Sequence, residues 1–170
     1  MTKKNRSPEV IGWREHVSLP DLGIADIAAK LDTGARTAAL HAVDQQTFNQ
    51  GGDLWVEFMI PAHNKPSKTR VRQRVVDERK VKNTGGVPEL RLIIRTSLLI
   101  GLHRWQIEVS LANRAKMEYD LILGRTAIRR RHILIDAGRS FLLDPPTPKT
   151  TPESPQTFAS LAAELKGRSE

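Results

Sequence analysis

One short segment of the chain combines residue types that suit proton chemistry. An apolar stretch ending at Leu31 leads into Asp32-Thr33-Gly34-Ala35. An Asp at the end of a strand, followed by a small hydroxyl residue and a Gly, predicts a tight turn in which neighbouring backbone N–H groups hold the carboxylate. The tripeptide also suits an Asx-type turn that merely closes a hairpin. By itself the segment therefore allows both a catalytic and a structural interpretation.

A later segment repeats part of this scheme. From Tyr119 to Gly124 the sequence predicts an apolar strand that ends at a glycine, and a short helix is predicted over Thr126–Arg131. Other aspartates lack the turn residues that follow Asp32. They include Asp26, Asp53, Asp77, Asp120 and Asp136.

The elements that must position these segments are mostly strands. Short stretches rich in Val, Ile, Trp and Phe are separated by turn residues, and only one internal helix is predicted. Many short strands without alternating helices indicate a closed or nearly closed all-β structure. The predicted strands are Val10–Ser18, Ile24–Leu31, Ala38–Val43, Leu54–Ile60, Arg70–Val76, Leu90–Ile100, Trp105–Leu111, Asp120–Leu123 and Ile133–Asp136.

Composition narrows the classes of function. The 170 residues suit one domain, and 27 Lys and Arg against 19 Asp and Glu leave a net charge of +8, which favours an anionic partner. The absence of cysteine excludes disulfides and thiolate metal sites. No apolar run has the roughly 20 residues of a membrane span, and the basic start lacks the apolar core of a signal peptide. We therefore expect a cytoplasmic protein without a membrane partner.

The two ends differ in composition from the middle. We expect a disordered, charged tail over residues 1–8, a folded domain over residues 9–143, and a Pro- and Thr-rich linker from residue 144. Beyond this linker, Phe158, Leu161, Ala162 and Leu165 recur at helical spacing. Residues 144–170 are thus predicted to form a linker followed by either a short docking helix or a mobile tail.

These segments resemble a known family. Residues 31–35 (Leu-Asp-Thr-Gly-Ala) and 122–125 (Ile-Leu-Gly-Arg) resemble the two halves of the ψ-shaped motif of retroviral and pepsin-like aspartic proteases. A closer likeness is to the bacterial RimK-associated family known as ATP-dependent zinc proteases, which are retropepsin-like. It spans about residues 10–143 and is carried by Gly12–Glu15, Ala29–Thr37, Leu40–Ala42, Ile94–Thr96 and Leu123–Ala127. The resemblance implies a closed retropepsin-like β-barrel with one short helix.

The resemblance also implies how the turn would act. In aspartic proteases two carboxylates share one proton, so that one acts as general base on a water while the other donates to the substrate carbonyl. This chain has one such turn, so the second carboxylate is expected to be Asp32 of another copy in a two-fold homodimer. Thr33 would lock the two turns together, and Gly34 would let the substrate approach the backbone. Further substrate contacts are expected from Ala35, Arg36, Gly124 and Arg125.

Retropepsins cover their cleft with a β-hairpin flap, and this chain offers a candidate. The hairpin would run from about Val75 to Leu90, with a glycine-containing tip that supplies positive φ angles and mobility. A plain surface loop is the alternative. The tip residues are Asn83, Thr84, Gly85 and Gly86.

A basic strand precedes this hairpin. Arg70, Arg72 and Arg74 alternate along it and therefore share one face. Such a row is commonly a solvated sheet face, and recognition of a polyanionic substrate is the sharper alternative. Arg129–Arg131 forms a second cluster, which can also complement the helix dipole.

The family resemblance implies a particular polyanion. Genes of the family accompany an ATP-grasp ligase that adds glutamate residues to a small-subunit ribosomal protein. This implies an aspartic-type peptidase that processes an acidic, poly-glutamate-bearing protein tail, with the ligase as a partner. The alternative is a non-catalytic retropepsin-like binding domain for a ribosomal or nucleic-acid partner. Nucleic acid is the less favoured ligand, because only 5% of the residues are aromatic and available for base stacking.

Neither zinc nor ATP is expected as a cofactor of this chain. No His-Glu-x-x-His motif occurs, and His16, His41, His63, His103 and His132 are scattered. His41 is expected to be a structural hydrogen-bonding residue. No phosphate-binding Gly-x4-Gly-Lys-Ser/Thr loop is present either, so any ATP dependence would belong to the ligase.

Overall fold

The computed structural model describes residues 7–61, 68–82 and 85–146. Within these ranges the chain is almost entirely β, with one short α-helix, α1 (Arg125–Ile128), and a 3-10 turn (Pro20–Leu22). The strands are β1 (Glu9–Gly12), β2 (Arg14–Leu19), β3 (Ile24–Leu31), β4 (Ala38–His41), β5 (Val43–Gln50), β6 (Asp53–Pro61), β7 (Lys68–Lys82), β8 (Pro88–Ile100), β9 (His103–Ala112), β10 (Leu121–Leu123) and β11 (Ile133–Asp136).

Six of these strands close into a barrel. Their order is β2-β3-β10-β4-β9-β8, and β2 returns to pair with β8. The closing ladder is short and antiparallel, with Val17 opposite Ile100 and Ser18 opposite Leu99. Closure removes the exposed edges and buries one apolar core, which includes Val17, Leu40 and Ile94. This architecture confirms the all-β, closed-barrel prediction with one short helix.

A three-stranded arm extends the sheet beyond the barrel. Residues 68–74 of β7 pair with β6, whereas residues 75–82 pair with β8, so one long strand joins the arm to the barrel. Among the described strands, β5 forms the outer edge of the arm and pairs with β6 alone. The sequence analysis did not identify β5 as a separate strand, because its residues are mostly polar and exposed and lack an apolar alternation.

The N-terminal and C-terminal parts of the domain meet through a small parallel ladder and a buried carboxylate. β1 and β11 pair in parallel from Glu9 opposite Ile133. The fully buried Glu15 accepts hydrogen bonds from the backbone N–H of Gly12 at 2.7 Å and of Leu142 at 2.9 Å. A Cβ on Gly12 would lie 2.7 Å from the Arg139 carbonyl oxygen, so the close passage of these two segments requires glycine.

Several sequence expectations fall at the edges of the described ranges. The predicted tail over residues 1–8 and the predicted segment 144–170 lie largely outside them, as does the apolar helical pattern beginning at Phe158. In the part of the chain that the structure describes, no helix has the length and apolar character needed to span a membrane.

The helix differs from its predicted bounds. It begins at Arg125 and ends at Ile128, rather than running from Thr126 to Arg131. Arg130 and His132 adopt left-handed backbone conformations, with φ of 64° and 53°. Such angles end a right-handed helix, so the three arginines 129–131 lie in the connection to β11.

Candidate active site

The carboxylate of Asp32 is held where β3 ends. The backbone N–H groups of Gly34 and Ala35 donate to its Oδ1 at 3.0 and 3.2 Å. The residue is half-buried, while Thr33 and Gly34 beside it are exposed. The turn thus presents an oriented carboxylate at the surface of the barrel, as the sequence predicts for this tripeptide.

β10 crosses beside this turn. It runs parallel to β3, with Leu123 opposite Leu31, and antiparallel to β4, with Leu121 opposite Leu40. The Leu123 carbonyl accepts the N–H of Asp32 at 2.9 Å. A strand inserted between the two segments that flank an aspartate turn is the ψ arrangement, which the two sequence motifs predicted.

Gly124 permits the crossing. A Cβ at this position would lie 2.7 to 2.8 Å from the backbone atoms of Thr37, which real Cβ atoms do not approach. The glycine is therefore needed for backbone-to-backbone packing beneath the turn. Within the described residues Gly124 does not line the cleft around Asp32, and the substrate contact expected from it stays a prediction.

The side chain of Arg125 holds the aspartate turn through hydrogen bonds. Its guanidinium donates to the carbonyl oxygens of Thr33 at 2.8 Å and of Gly34 at 3.2 Å. Its backbone N–H donates to the Ala35 carbonyl at 2.9 Å. The side chain is thus engaged with the turn itself, and like Gly124 it is absent from the described lining of the cleft. Trp105 supports the helix that follows, because its indole N–H donates to the Ala127 carbonyl at 2.8 Å.

A large open cleft of about 1980 Å³ lies in front of Asp32. Gly34, Ala35 and Arg36 from the turn line it together with Asp32, and the opposite side comes from β7, β8, β9 and the loop before β10. Among the described lining residues ten are Lys or Arg and four are acidic, so the walls carry a strong excess of positive charge. The cationic lining residues are Lys30, Arg36, Arg79, Lys80, Lys82, Arg91, Arg95, Arg114, Lys116 and Arg129.

Some of this charge is paired within the cleft. Glu108 accepts from Arg79 at 2.7 Å and from Arg95 at 3.4 Å. The hydrogen bond from Arg79 holds the pKa of Glu108 below its ordinary value. The same contact, followed by the hydrogen bond to Asp77, raises the pKa of Arg79. These pairs fix Arg79 and Arg95 on the wall but leave the lining cationic overall.

The described end of the β7–β8 hairpin lines part of this cleft. Lys82 and Pro88, the last and first residues of its strands, both line the cleft, as do Gly85 and Val87 from the connection. Gly86 has φ of 77°, which glycine adopts without strain. The predicted tip residues Asn83 and Thr84 lie outside the described residues. A hairpin therefore stands where the sequence analysis predicted the flap.

The arginine row lies elsewhere. Arg70 and Arg72 both form ion pairs with Glu57, the second at 2.5 Å, and Arg74 faces Asp53 at 3.3 Å. Hydrogen bonds from Arg72 and then Arg70 lower the pKa of Glu57. Because the row belongs to the half of β7 that pairs with β6, none of the three arginines is among the described residues that line the Asp32 cleft. The sequence analysis placed them beside the substrate because it took β7 for a short strand next to the flap.

The sequence analysis missed Arg114, a partly buried cation of the cleft. It lies in the loop after β9, where no motif marks it, and only its position after an apolar strand could have drawn attention to it. Its Nε–H donates to the Tyr119 carbonyl at 3.0 Å, and its backbone N–H donates to Nδ1 of His41 at 2.9 Å. Burial, followed by the charge of Arg91, lowers the pKa of Arg114.

Within the part of the chain that the structure describes, the donors do not fit a zinc ion. His16 is paired with Asp26 at 2.7 Å, His103 with Glu9, and His41 is buried with Nδ1 already engaged. No three His, Asp or Glu side chains converge within the described residues, and His63 lies outside them. A zinc site needs three or four such donors at one point.

Comparison with known proteins agrees with this geometry. A family model described as "Retropepsin-like aspartic endopeptidase RimB" matches residues 10–146. A crystal structure of a protein of unknown function from Legionella pneumophila is similar, with a TM-score of 0.69 and 29% identity, over 80% of this chain and 98% of that chain. The barrel and its aspartate turn define a protein of the retropepsin-like class. Within that class, the chain belongs to the RimB-like family.

Curated relatives are longer proteins. A "Probable alpha-L-glutamate ligase" from Desulfotalea psychrophila is 42% identical over 128 residues, which cover 74% of this chain and 28% of the relative. A protein of the same name from Parasynechococcus marenigrum is 39% identical over 136 residues, which cover 79% of this chain and 29% of the relative. The chain therefore spans less than a third of the length of these relatives.

Proposed function

We propose that this chain is one subunit of an aspartic-type endopeptidase that cleaves an acidic, glutamate-bearing protein tail. The observation that carries the proposal is the position of Asp32, an oriented and half-buried carboxylate that lines a cleft with a strongly cationic lining. The carboxylate supplies the acid–base chemistry, and the cations supply attraction for a polyanionic chain.

The chemistry requires a second carboxylate, and symmetry supplies it. Two copies of the turn facing each other across a two-fold axis bring their Asp32 residues together, and like charges at short range make the pair hold one proton. The ionised Asp32 takes a proton from water, whose oxygen attacks the peptide carbonyl, while the protonated Asp32 donates to the carbonyl oxygen. The gem-diol then collapses: a proton passes to the amide nitrogen, the C–N bond breaks, and a carboxylic acid and an amine leave.

The lining of the cleft supports an acidic substrate. Lys80, Lys82 and Arg36 are exposed, and all three line the cleft. Several cations in one concave surface raise the local potential and attract an anionic chain over about a Debye length, roughly 8 Å at physiological ionic strength. The substrate preference is therefore expected to weaken as salt rises.

The names of the relatives support a link to a ligase. In the proteins named "Probable alpha-L-glutamate ligase", a segment similar to this chain forms less than a third of a longer polypeptide. A domain joined to a glutamate ligase would work on the product of that ligase, namely a glutamate-extended chain. We therefore place the proposed peptidase in the cytoplasm, beside an ATP-grasp ligase that adds such residues.

The test combines an active-site variant with an oligomer measurement. Asp32→Asn keeps the volume of the side chain but removes the shared proton, so cleavage of a glutamate-tailed peptide should fall to background while the melting temperature changes little. Sedimentation across a concentration range should find a dimer as the active species. A monomer that cleaves the peptide would overturn the paired mechanism. Binding without cleavage in the wild type would instead favour the non-catalytic binding domain, the alternative that the single aspartate turn of each chain leaves open.

A further inference from the structure

Arg114 is a partly buried cation of the cleft that is held through both its backbone and its side chain. The residues on either side of it, Asn113 and Ala115, are exposed. Its backbone is anchored at both polar groups, because its N–H donates to His41 and its carbonyl accepts the N–H of Met117 at 2.8 Å. The Nε–H donates to the Tyr119 carbonyl. The guanidinium is thus aimed by the fold and loses little conformational freedom when a ligand binds.

Among the described residues, the influences that oppose the positive charge of Arg114 outweigh those that favour it. Burial and the nearby charge of Arg91 both act against the protonated form, and the carboxylates of Asp120 and Asp32 act for it without offsetting them, so the pKa is lowered on balance. An arginine nonetheless stays charged at neutral pH. A further anion bound next to this partly buried guanidinium would stabilise its charge.

Arg91 brings a second cation to the same part of the cleft. It lies on β8 and is tied to Glu89 through two nitrogens, at 3.1 and 3.2 Å. Its side chain is only 14% exposed. Two mutually repelling guanidinium groups, each held by its own contacts, therefore line the cleft together with Asp32.

We propose that Arg114, together with Arg91, forms the subsite that receives the side-chain carboxylate of a substrate residue next to the scissile bond. The inference rests on the proposed peptidase function and adds a specific requirement, namely that an acidic residue must lie close to the cleaved bond and not merely somewhere in the tail. The terminal nitrogens of the guanidinium match a carboxylate in a forked geometry. Arg114 is a specificity-determining residue in this scheme, because it contacts a side chain and not the reacting carbonyl.

The first experiment alters only the substrate, so folding of the protein is not in question. A set of glutamate-tailed peptides carries a single Glu→Gln change at each position in turn. The Asp32→Asn protein is used to measure Kd and the wild-type protein to measure cleavage. We expect one position, adjacent to the scissile bond, where Gln weakens binding about tenfold or more, as expected for the loss of a charge-assisted hydrogen bond. A small loss of affinity that is equal at every position would overturn the proposal, because general electrostatic attraction between the cationic cleft and the acidic peptide would then account for binding.

The second experiment assigns that position to Arg114. In Arg114→Gln the preference for Glu over Gln at the sensitive position should disappear, and in Arg114→Lys it should survive in part. Arg104→Gln is the matched control, since it removes one exposed positive charge outside the described lining of the cleft and should retain the preference. Thermal unfolding of each variant identifies any loss of fold. Retention of the preference in a folded Arg114→Gln protein would overturn the proposal.

The two readouts separate this inference from the proposed function. If the wild type cleaves, Asp32→Asn does not, and the preference survives Arg114→Gln, the subsite is wrong and the peptidase stands. If Arg114 governs binding of the acidic peptide but no cleavage is found, the peptidase is wrong, and Arg114 is a carboxylate-binding residue with no scissile bond beside it.

Discussion

The buried imidazole of His41 accepts, through Nδ1, a hydrogen bond from the backbone N–H of Arg114 at 2.9 Å. This bond joins the end of β4, the strand that follows the aspartate turn, to the loop that carries Arg114. The histidine thus couples the two parts of the candidate site without contacting a substrate.

Loss of this acceptor should destabilise the loop. His41→Leu leaves the N–H of Arg114 without its partner, so the free energy of unfolding should fall by about 1–3 kcal/mol. His41→Asn retains an acceptor near the position of Nδ1 and should lose less. Chemical denaturation of both variants checks this, and equal losses would mean that packing and not the hydrogen bond is the main contribution of His41.

The crossing beneath the aspartate turn should not tolerate a side chain at residue 124. Gly124→Ala brings a methyl group within 2.7 Å of the Thr37 backbone, so we expect a loss of at least about 2 kcal/mol in the free energy of unfolding. Gly138→Ala is the matched control, because its added Cβ would meet only the Asp136 side chain at an ordinary 3.4 Å. Equally stable variants would contradict the packing argument.

Arg125 should act on catalysis through the turn that it holds. Arg125→Met removes the donors to the Thr33 and Gly34 carbonyls, so Asp32 becomes less well oriented. We expect kcat for a glutamate-tailed peptide to fall about tenfold or more, with a smaller change in KM, because the interaction orients the reacting group. Arg130→Met, an exposed arginine two residues past the helix, serves as the charge-matched control. A change confined to KM would instead make Arg125 a substrate contact.

Stability at acid pH should depend on the Arg79–Glu108 pair. The pKa of Glu108 is lowered in the folded state, so below its ordinary value of 4.5 the unfolded state binds a proton that the folded state does not. The stabilisation of the fold by the Arg79–Glu108 pair is therefore fully present above pH 4.5 and is lost as the pH falls below that value. In both Glu108→Gln and Arg79→Gln, the free energy of unfolding should decrease less as the pH falls below 4.5. Denaturation at successive pH values measures this dependence. An unchanged slope in both variants would show that the pair adds nothing to acid resistance.

Two sets of arginines and lysines should differ in their effect on substrate binding. The triple change Arg36→Gln, Lys80→Gln and Lys82→Gln removes three charges from the cleft, and at about 0.5 kcal/mol for each exposed charge pair the loss amounts to roughly tenfold in KM. This rise should shrink as salt increases.

Removal of Arg70, Arg72 and Arg74 provides the comparison for the cleft variant. These arginines are already paired with Glu57 and Asp53, outside the described lining of the cleft, so their replacement by Gln should change KM for a short peptide by less than about twofold. A larger effect of this second triple variant would restore the arginine row as a substrate contact.

The sequence was sufficient for the local parts of the site. Asp32-Thr33-Gly34-Ala35 after an apolar strand determines a turn whose own N–H groups hold the carboxylate, because the interacting atoms are within three residues of one another. The alternation of apolar residues likewise identified most barrel strands, since each buries one face in the common core. The later segment ending at Gly124 was recognised by its pattern for the same reason.

Only the tertiary structure decided what surrounds the carboxylate. The registers of β7 separate residues 68–74 from residues 75–82, so the prominent arginine row lies on the outer arm while less conspicuous cations from β7, β8 and the loop after β9 line the cleft. Arg114 and His41 are 73 positions apart, and no local pattern links them. The chemistry of a turn depends on consecutive residues, which the sequence shows directly. The electrostatics of a cleft depends on which distant strands are brought together when the barrel closes.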